Sequence, residues 1–512
     1  MYVIIDKLDQ RKIDVLKKVF HSNQHSCLYD ELLTDVNITQ RTLKKIIDDI
    51  ECDLKDFGFS DLISIEKYIG KNYKSSTLSI IFSESFNMQK LINAYIRKSI
   101  KFRLLHRLLY SKFRTLQETA DYFHVSYVQI RRIIGELNDF FNNSDLFINT
   151  RRSVCIEGNE VGVRAFYSFL LLTSYGGEEW PFSTVSFYDT SQLLSKCPRE
   201  VYCSDTLDKA FLVHYYVAIH LIRSRKNFFV IEKDIAIPLY TPHTISNKRA
   251  FLSLAKSLKK HLRHLNDVRL VHSASVLCSS IVALGDYSSV KVAPDFFFLN
   301  PEINQSQIIH LTFYILDRLD HHLYSPLDSD ERGKIIYAVM CLHYRVFYMQ
   351  QVCIRLNDVL PTPPNSIISN LKRHKAHRIQ ELVDREMQSA EFNFIRKYES
   401  YLATQYYNIY DRHIDFSKHT APITVAFVSA LSNIDLEKEI RVRYSSYFNL
   451  KVAETLSQTV DLIITDLPIS HDALSGILYK HPIIHCHKEL VESDFNKLTN
   501  VLSEIAKKKF TK

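Results

Sequence analysis

An ungapped internal repeat constrains this chain more than any other feature of its 512 residues. The stretch ITQRTLKKIIDDI at residues 38–50 aligns with VSYVQIRRIIGEL at residues 125–137, an offset of 125 − 38 = 87 residues. In each copy a hydroxyl side chain, Thr39 or Ser126, can accept a hydrogen bond from a free amide of a first helical turn. The repeat therefore predicts two helices that begin at equivalent residues of two similar units.

Both predicted helices have one apolar and one polar face. Apolar residues recur at i, i+3, i+4 and i+7 in each copy, which is the spacing of a buried helical stripe. The opposite face carries amide, hydroxyl and cationic side chains, namely Gln40, Arg41, Thr42, Lys44 and Lys45 in the first copy and Tyr127, Gln129, Arg131 and Arg132 in the second. Arg and Lys can donate to guanine edges or phosphates, and Gln can pair with adenine in the major groove. These faces suit DNA recognition.

The residues around each copy complete a winged helix-turn-helix pattern. A short helix is predicted before each copy, at residues 28–34 and 116–123, with a tight turn between the two helices. A strand pair is predicted after each copy, at residues 62–68 with 77–82 and 146–149 with 154–157. The tips of these hairpins carry basic residues suited to backbone phosphates, namely Lys71, Lys74, Arg151 and Arg152. The alternative is a pair of ordinary amphipathic helices with solvated charges, and the repetition favours DNA binding.

Positive charge is concentrated in the same region. Residues 90–132 contain ten Lys or Arg against two acidic residues, a balance of 10 − 2 = +8. From residue 421 onward the basic and acidic residues cancel, 11 against 11. Because a polyanion attracts the cationic part of a protein, we expect the N-terminal part, and not the tail, to contact nucleic acid.

Composition and motifs exclude several other classes of protein. The nine cysteines show no CxxC pair and no Cys/His spacing of a zinc site. The first residues show no signal peptide, and no apolar run reaches the roughly 20 residues that cross a bilayer. The sequence contains no GxxxxGK[ST], GxSxG, HExxH or GxGxxG motif. The segment His485-Cys486-His487 could suggest a metal site, but adjacent residues of a strand point to opposite faces and two further ligands are not evident. The sequence predicts a soluble cytoplasmic protein that is not an enzyme and needs no metal or cofactor.

The repeat and the segments that follow it resemble the Mga/AtxA family of bacterial virulence regulators. The resemblance implies a mainly α, multidomain fold: winged helix-turn-helix domains at 1–85 and 86–162, two all-helical phosphotransferase-system regulation domains (PRDs) at 163–288 and 289–415, and an α/β domain like EIIB with a parallel sheet at 416–512. His214 in LVHYYVAI and His343 in ERGKIIYAVMCLHY are similar to the PRD histidine phrases. The resemblance implies that the phosphocarrier HPr phosphorylates them. The alternative is that each histidine is buried and bonded to a neighbour.

The tail reads as alternating strands and helices. Strands are predicted at residues 423–428, 460–465 and 481–485, with helices at 436–448 and 494–507, an order that implies parallel pairing. The loop after the first strand, at residues 429–433, lacks the cysteine on which EIIB carriers take phosphate. The resemblance therefore implies a homodimer contact in place of thiol phosphotransfer. Three prolines at residues 356–365 predict a loop between the helical blocks.

Together these features predict a regulator that binds double-stranded DNA. The resemblance implies a global virulence or carbohydrate-responsive activator, controlled by phosphorylation of the PRD histidines and by dimerisation. A sugar-operon activator of the PRD class is one alternative, although such proteins usually carry an EIIA domain or a phosphorylatable EIIB cysteine. A PRD-type RNA antiterminator would bind through a small β-rich N-terminal domain, against which the helical repeat argues. A protein-binding scaffold is the third alternative, and salt dependence of DNA binding would discriminate it.

Overall fold

A computed structural model describes residues 2–70, 75–199, 201–202, 207–235, 237–284, 307–321, 323–353, 379–381, 383–385, 395–415, 418–429, 434–445, 447–454, 460–468, 482–487 and 490–510. Most of these residues are helical, as predicted. The helices are α1 (Lys7–Phe20), α2 (Tyr29–Asp35), α3 (Gln40–Asp56), α4 (Met88–Lys98), α5 (Ile100–Tyr110), α6 (Leu116–Phe123), α7 (Tyr127–Phe141), α8 (Glu160–Tyr175), α9 (Phe187–Leu194), α10 (Leu207–Arg225), α11 (Ile245–His261), α12 (Asp267–Leu284), α13 (Gln307–His321), α14 (Ser329–Met349), α15 (Glu399–His413), α16 (Ile434–Tyr444) and α17 (Glu492–Phe510). The strands are β1 (Ser26–Leu28), β2 (Ile63–Tyr68), β3 (Thr77–Phe82), β4 (Leu146–Asn149), β5 (Cys155–Gly158), β6 (Ile423–Val428), β7 (Leu450–Val452), β8 (Leu462–Thr465) and β9 (Ile483–His485).

The first unit packs α1, α2 and α3 against a small antiparallel sheet. The predicted hairpin forms, with β2 and β3 in register from Ile63 opposite Phe82 to Tyr68 opposite Thr77. A third strand that the sequence analysis missed, β1, pairs with the other edge of β3, so the strand order is β1-β3-β2. β1 has only three residues, which is too short for a period-2 pattern to distinguish it from a loop.

The second unit repeats this plan with fewer strands. Helices α5, α6 and α7 precede an antiparallel hairpin in which β4 runs from Leu146, opposite Gly158, to Asn149, opposite Cys155. An isolated bridge between Phe113 and Val154 takes the place that β1 holds in the first unit. Strand β4 of the hairpin packs on α7, as do α5 and α6, and α5 also contacts β5.

A helical block from α8 to α15 forms the middle of the chain. Helix α8 packs on α10, α12 on both α10 and α14, and α14 on both α13 and α15. Among the described residues one helix, α12, passes the length and composition test for a membrane span, but 67% of it is buried inside the protein. Burial on protein is expected of a core helix, whereas a membrane span exposes much of its surface to lipid.

The tail forms a separate α/β layer. Its four strands are all parallel in the order β7-β6-β8-β9, and α16 and α17 cover a core that includes Val425, Ile464 and Leu498. The prediction of a parallel sheet here is confirmed. Strand β7 was missed. Strand β9 begins at Ile483; Pro482 is not part of it, and residue 481 of the predicted strand lies outside the described residues. The proline-containing loop predicted at residues 356–365 also lies outside them.

Candidate nucleic-acid interface

Helix α3 is positioned by its cap and its apolar stripe. The Thr39 hydroxyl accepts a hydrogen bond from the Thr42 amide at 3.3 Å and lies 2.8 Å from the Thr42 hydroxyl. The predicted stripe is buried, with Leu43, Ile46, Ile47 and Ile50 each at most 2% exposed. One face of α3 is thus fixed in the core, and its opposite face turns to solvent.

Helix α7 is built in the same way. The Ser126 hydroxyl accepts a hydrogen bond from the Gln129 amide at 3.1 Å, which satisfies one of the free amides of the first turn. The equivalent stripe is also buried, and it consists of Ile130, Ile133, Ile134 and Leu137. The equivalence that the repeat predicts between the two helices therefore holds in the structure.

Both turns before these helices use a residue in the left-handed region. Asn37 has a φ of 52° and His124 a φ of 54°. Such a residue ends the preceding helix and redirects the chain within a few residues. In the second unit Ala120 is fully buried where α6 packs on α7, which agrees with the small side chain expected at a close helix crossing. Each pair α2/α3 and α6/α7 thus has helix-turn-helix geometry.

The predicted contact residues of the two helices are accessible. Gln40, Arg41, Lys44 and Lys45 are exposed on α3, while Thr42 is half-buried beside the cap. On α7, Tyr127, Arg131 and Arg132 are exposed and Gln129 is half-buried. At the hairpin tips Arg151 and Arg152 are exposed, whereas Lys71 and Lys74 lie outside the described residues. None of the described candidates is packed into the core. A face that reads DNA must be accessible in this way.

The positive excess counted along residues 90–132 is smaller in three dimensions than in the sequence. Four of its ten cations form ion pairs with described residues, in the combinations Lys90 with Glu178, Lys98 with Asp53, Lys101 with Glu136 and Arg132 with Glu136. All three of these carboxylates, Asp53, Glu136 and Glu178, lie outside the segment, so a count along residues 90–132 could not include them. Arg131 forms no ion pair with another described residue, and it is the free cation of the α7 face.

Buried polar contacts connect the two units. Lys12 of α1 is 4% exposed and its Nζ lies 2.6 Å from Oδ2 of Asp53 in α3, whose other oxygen bonds Lys98 of α4. These two cations lower the pKa of Asp53, although burial alone would raise it. The Lys101 ammonium and the Ser99 hydroxyl donate to the carbonyls of residues 3 and 4. The N-terminal segment therefore fixes α3 relative to α5 and, through Glu136, to α7.

The two candidate phosphorylation sites are both buried histidines. Nδ1 of His214 lies 2.6 Å from the Thr190 hydroxyl, and the ring stacks on Phe187 with centroids 4.2 Å apart. Nδ1 of His343 lies 2.8 Å from the Thr312 hydroxyl and Nε2 lies 2.6 Å from the Tyr406 hydroxyl. Burial lowers the pKa of His214 to about 4 and that of His343 to about 3, so both rings are neutral at neutral pH. This is the arrangement expected of the buried-histidine alternative.

The sequence analysis missed a buried ionic cluster in the helical block. Glu160 of α8 accepts from Nε of Arg164 at 2.9 Å and from Nη2 of Arg223 in α10 at 2.5 Å. All three residues are at most 6% exposed. The two guanidinium groups lower the pKa of Glu160 against the effect of its burial. The spacing of Glu160 and Arg164 by four residues on one helix was the available signal, but nothing local indicated Arg223.

Comparisons with known proteins agree with this geometry. Residues 84–171, which include α5 to α7 and the β4–β5 hairpin, match the Mga helix-turn-helix domain. The chain is 21% identical over 304 residues to the capsule synthesis positive regulator AcpB of Bacillus anthracis, covering 59% of this chain and 61% of that protein. It is 24% identical over 180 residues to AcpA, the capsule synthesis positive regulator of the same organism, covering 35% of each chain. The matches therefore span less than two thirds of either relative.

Both relatives are named as positive regulators, and neither name is that of an enzyme. The domain match falls on the second unit, where the helix-turn-helix pair and its hairpin are complete in the structure. Together, the matched domain and the two relatives confirm that this chain is similar to the Mga/AtxA-like regulators, as the sequence predicts.

Proposed function

We propose that this protein is a transcription activator that binds double-stranded DNA through α3 and α7. The observation that carries the proposal is the pair of aligned helices, each with a buried apolar stripe, a capped N-terminus and an accessible face of amide and cationic side chains. A helix held in this way can enter the major groove N-terminus first. The activating role is supported by the names of the two relatives.

Titration of the full chain against a labelled DNA duplex at several salt concentrations tests this function. Phosphate neutralisation predicts that log affinity falls linearly with log salt, by about 0.9 per phosphate contact. The variant Arg131→Ala/Lys44→Ala should weaken binding, whereas Lys256→Ala/Lys260→Ala, which removes two exposed charges of α11, should not. An RNA hairpin of equal length is the comparison. Tighter binding of RNA than of DNA would contradict DNA recognition by these helices. Equal losses of DNA affinity in the Arg131→Ala/Lys44→Ala variant and in the α11 control variant would also contradict it.

We further infer that phosphorylation of His214 and His343 by HPr needs local opening of the helical block. Each ring nitrogen that bonds a neighbour is unavailable to a phosphoryl group, and each ring is at most 6% exposed. A phosphoryl group would add about 1.5 to 2 negative charges at a buried position, which would hold the block open.

The test is mass spectrometry of the full chain after incubation with phosphorylated HPr. The expected result is modification that increases under mild denaturant, since denaturant populates the opened form, and that disappears in His214→Gln/His343→Gln. Absence of phosphohistidine under every condition would assign both residues a structural role. In cells, His214→Asp should change promoter activity during sugar uptake at equal protein levels.

We also propose that the protein is a cytoplasmic homodimer whose contact lies in residues 416–512. The family resemblance supports this assignment, as does the exposed apolar side chain of Val442 on α16, which is 74% exposed. The parallel sheet gives this segment a core of its own, so it can present a rigid surface. Sedimentation of Val442→Glu should show a shift toward monomer, and an unchanged dimer would place the contact elsewhere.

A further inference from the structure

A cavity of about 280 Å³ lies between the second helix-turn-helix unit and the helical block. Its walls come from α4, α5, the last turn of α6 and the last residue of α8. This volume is close to the lower end of the range for small-molecule sites, about 300 Å³. The cavity is therefore large enough for a ligand with more atoms than a single ordered water.

Three arginines line this cavity, and each is held by an aromatic ring. The guanidinium carbons lie 5.2 to 5.6 Å from the ring centroids in the pairs Arg97 with Tyr175, Arg103 with Phe123 and Arg107 with Tyr122. A cation over a ring face is oriented and weakly stabilised, but its charge is not neutralised. The rings leave the donors of Arg103 and Arg107 available around one space. Arg97 donates from Nη1 to the backbone carbonyl of Ser174 at 3.1 Å and adds its charge and its other N–H groups.

In the part of the chain that the structure describes, these three arginines have no acidic partner. Neither Asp nor Glu lines the cavity, and none of the three forms an ion pair. Other cations of the same segment, such as Lys98 and Lys101, do pair with carboxylates. Three adjacent unneutralised charges repel one another, so an anion placed among them would be stabilised by charge-assisted hydrogen bonds.

A histidine with one unpaired ring nitrogen lines the same cavity. Nε2 of His106 is buried and makes no hydrogen bond to any residue that the structure describes. Burial lowers the pKa of His106 more than the backbone carbonyl of Pro181 raises it. That carbonyl can only accept, so Nδ1 holds the ring proton and Nε2 presents a lone pair. A buried acceptor without a donor is costly, and a ligand that carries an O–H group would remove this cost.

We propose that the cavity binds a small phosphate-bearing molecule, with the anionic oxygens on Arg97, Arg103 and Arg107 and a P–OH group donating to Nε2 of His106. Phosphate supplies both the negative charge and the proton that these groups need, whereas sulfate at neutral pH has no proton to donate. The ligand would bridge α6 of the DNA-binding unit and α8. An effect of the ligand on DNA affinity rests on the proposed function, but binding of the ligand to the cavity does not.

Isothermal titration of the full chain with inorganic phosphate tests the proposal, with sulfate as the comparison anion. We expect phosphate to bind more tightly than sulfate, and Arg103→Gln/Arg107→Gln to weaken phosphate binding by about tenfold or more, from the loss of two charge-assisted contacts. Both arginines are exposed, so the variant should fold. Arg263→Gln, an exposed residue outside the cavity, is the matched control. His106→Phe should abolish the preference for phosphate.

Two results would overturn the proposal. Equal binding of sulfate and phosphate would refute the role of His106 and with it the assignment to phosphate. Absence of phosphate binding, together with weaker DNA binding by Arg103→Gln/Arg107→Gln, would assign the arginines to the DNA backbone in place of a small ligand. Retained phosphate binding in a chain that fails to bind DNA would leave this site standing and contradict the proposed function alone.

Discussion

Replacement of Arg131 and Arg132 by alanine should reduce DNA affinity more than replacement of Lys44 and Lys45. The two pairs are equivalent in the repeat, and all four side chains are exposed. Their surroundings differ. In α3 the positions four residues later are Asp48 and Asp49, whereas in α7 they are Gly135 and Glu136. The first pair therefore shares its surface with two carboxylates and the second with one.

The expected magnitude differs between the two arginines. Arg132 lies 3.1 Å from Glu136 in an exposed ion pair, and an i, i+4 pair of this kind is worth about 0.3–0.5 kcal/mol. DNA must compete with that pair for Arg132 but not for Arg131. A bidentate base contact is worth about 1–3 kcal/mol, so Arg131→Ala should weaken specific binding by about 5-fold to 150-fold. Arg132→Ala should cost less by about 0.5 kcal/mol.

Fluorescence anisotropy with a labelled duplex measures these losses directly. Each lost phosphate contact should reduce the slope of log affinity against log salt by about 0.9. The variant Glu136→Gln releases Arg132 and also Lys101, whose Nζ lies 2.7 Å from Glu136. The comparison is therefore made within that background, where the Arg132→Ala loss should be as large as the Arg131→Ala loss. Equal losses for the lysine and arginine pairs, with both variants folded by circular dichroism, would refute the ranking.

Three further outcomes are expected. Glu160→Gln should reduce the free energy of unfolding by about 3–5 kcal/mol, because Arg164 and Arg223 would stay buried without their counter-charge; a loss below about 1 kcal/mol in denaturant titrations would show that water already screens the cluster. The unfolded His343 ring takes a proton near its usual pKa of about 6.5, but the folded ring does so only near 3. Acidification below about pH 6.5 should therefore favour unfolding, by about 2 kcal/mol at pH 5, and His343→Gln should remove this part of the pH dependence of the melting temperature. Truncation after Asp415 should give monomers by sedimentation, and a retained dimer would place the contact in the remaining chain.

The local patterns of the sequence were sufficient to predict most elements near the candidate interface. Thr39 and Ser126 marked the starts of α3 and α7 because capping depends on residues within one turn. The buried stripe of each helix followed from its period. Strands β1 and β7 were missed because three residues cannot establish a period, and their pairing depends on strands far away in the sequence.

Contacts between distant residues were beyond the reach of these patterns. The pairing of Lys98 with Asp53 and the stacking of Arg103 on Phe123 join residues on different helices. A charge count treats such residues as independent, so it overestimated the positive charge available to DNA and did not detect the arginine cavity. Whether a basic residue is neutralised depends on the tertiary fold, and the sequence alone contains no local signal for it.

The buried contacts of Asp53 also bear on how the two recognition helices act together. Lys12 and Lys98 both bond this carboxylate, so α1, α3 and α4 share one ionic centre. Since α5 follows α4 after a single residue and packs on α7, the positions of the two reading faces are coupled. A rigid pair of helices loses less conformational entropy on binding than two flexibly joined units. The coupling of α3 and α7 would therefore favour one fixed spacing between the DNA contacts of the two helices. Loss of the Asp53 ion pairs should make the protein tolerate other spacings before it weakens the DNA contacts of either helix.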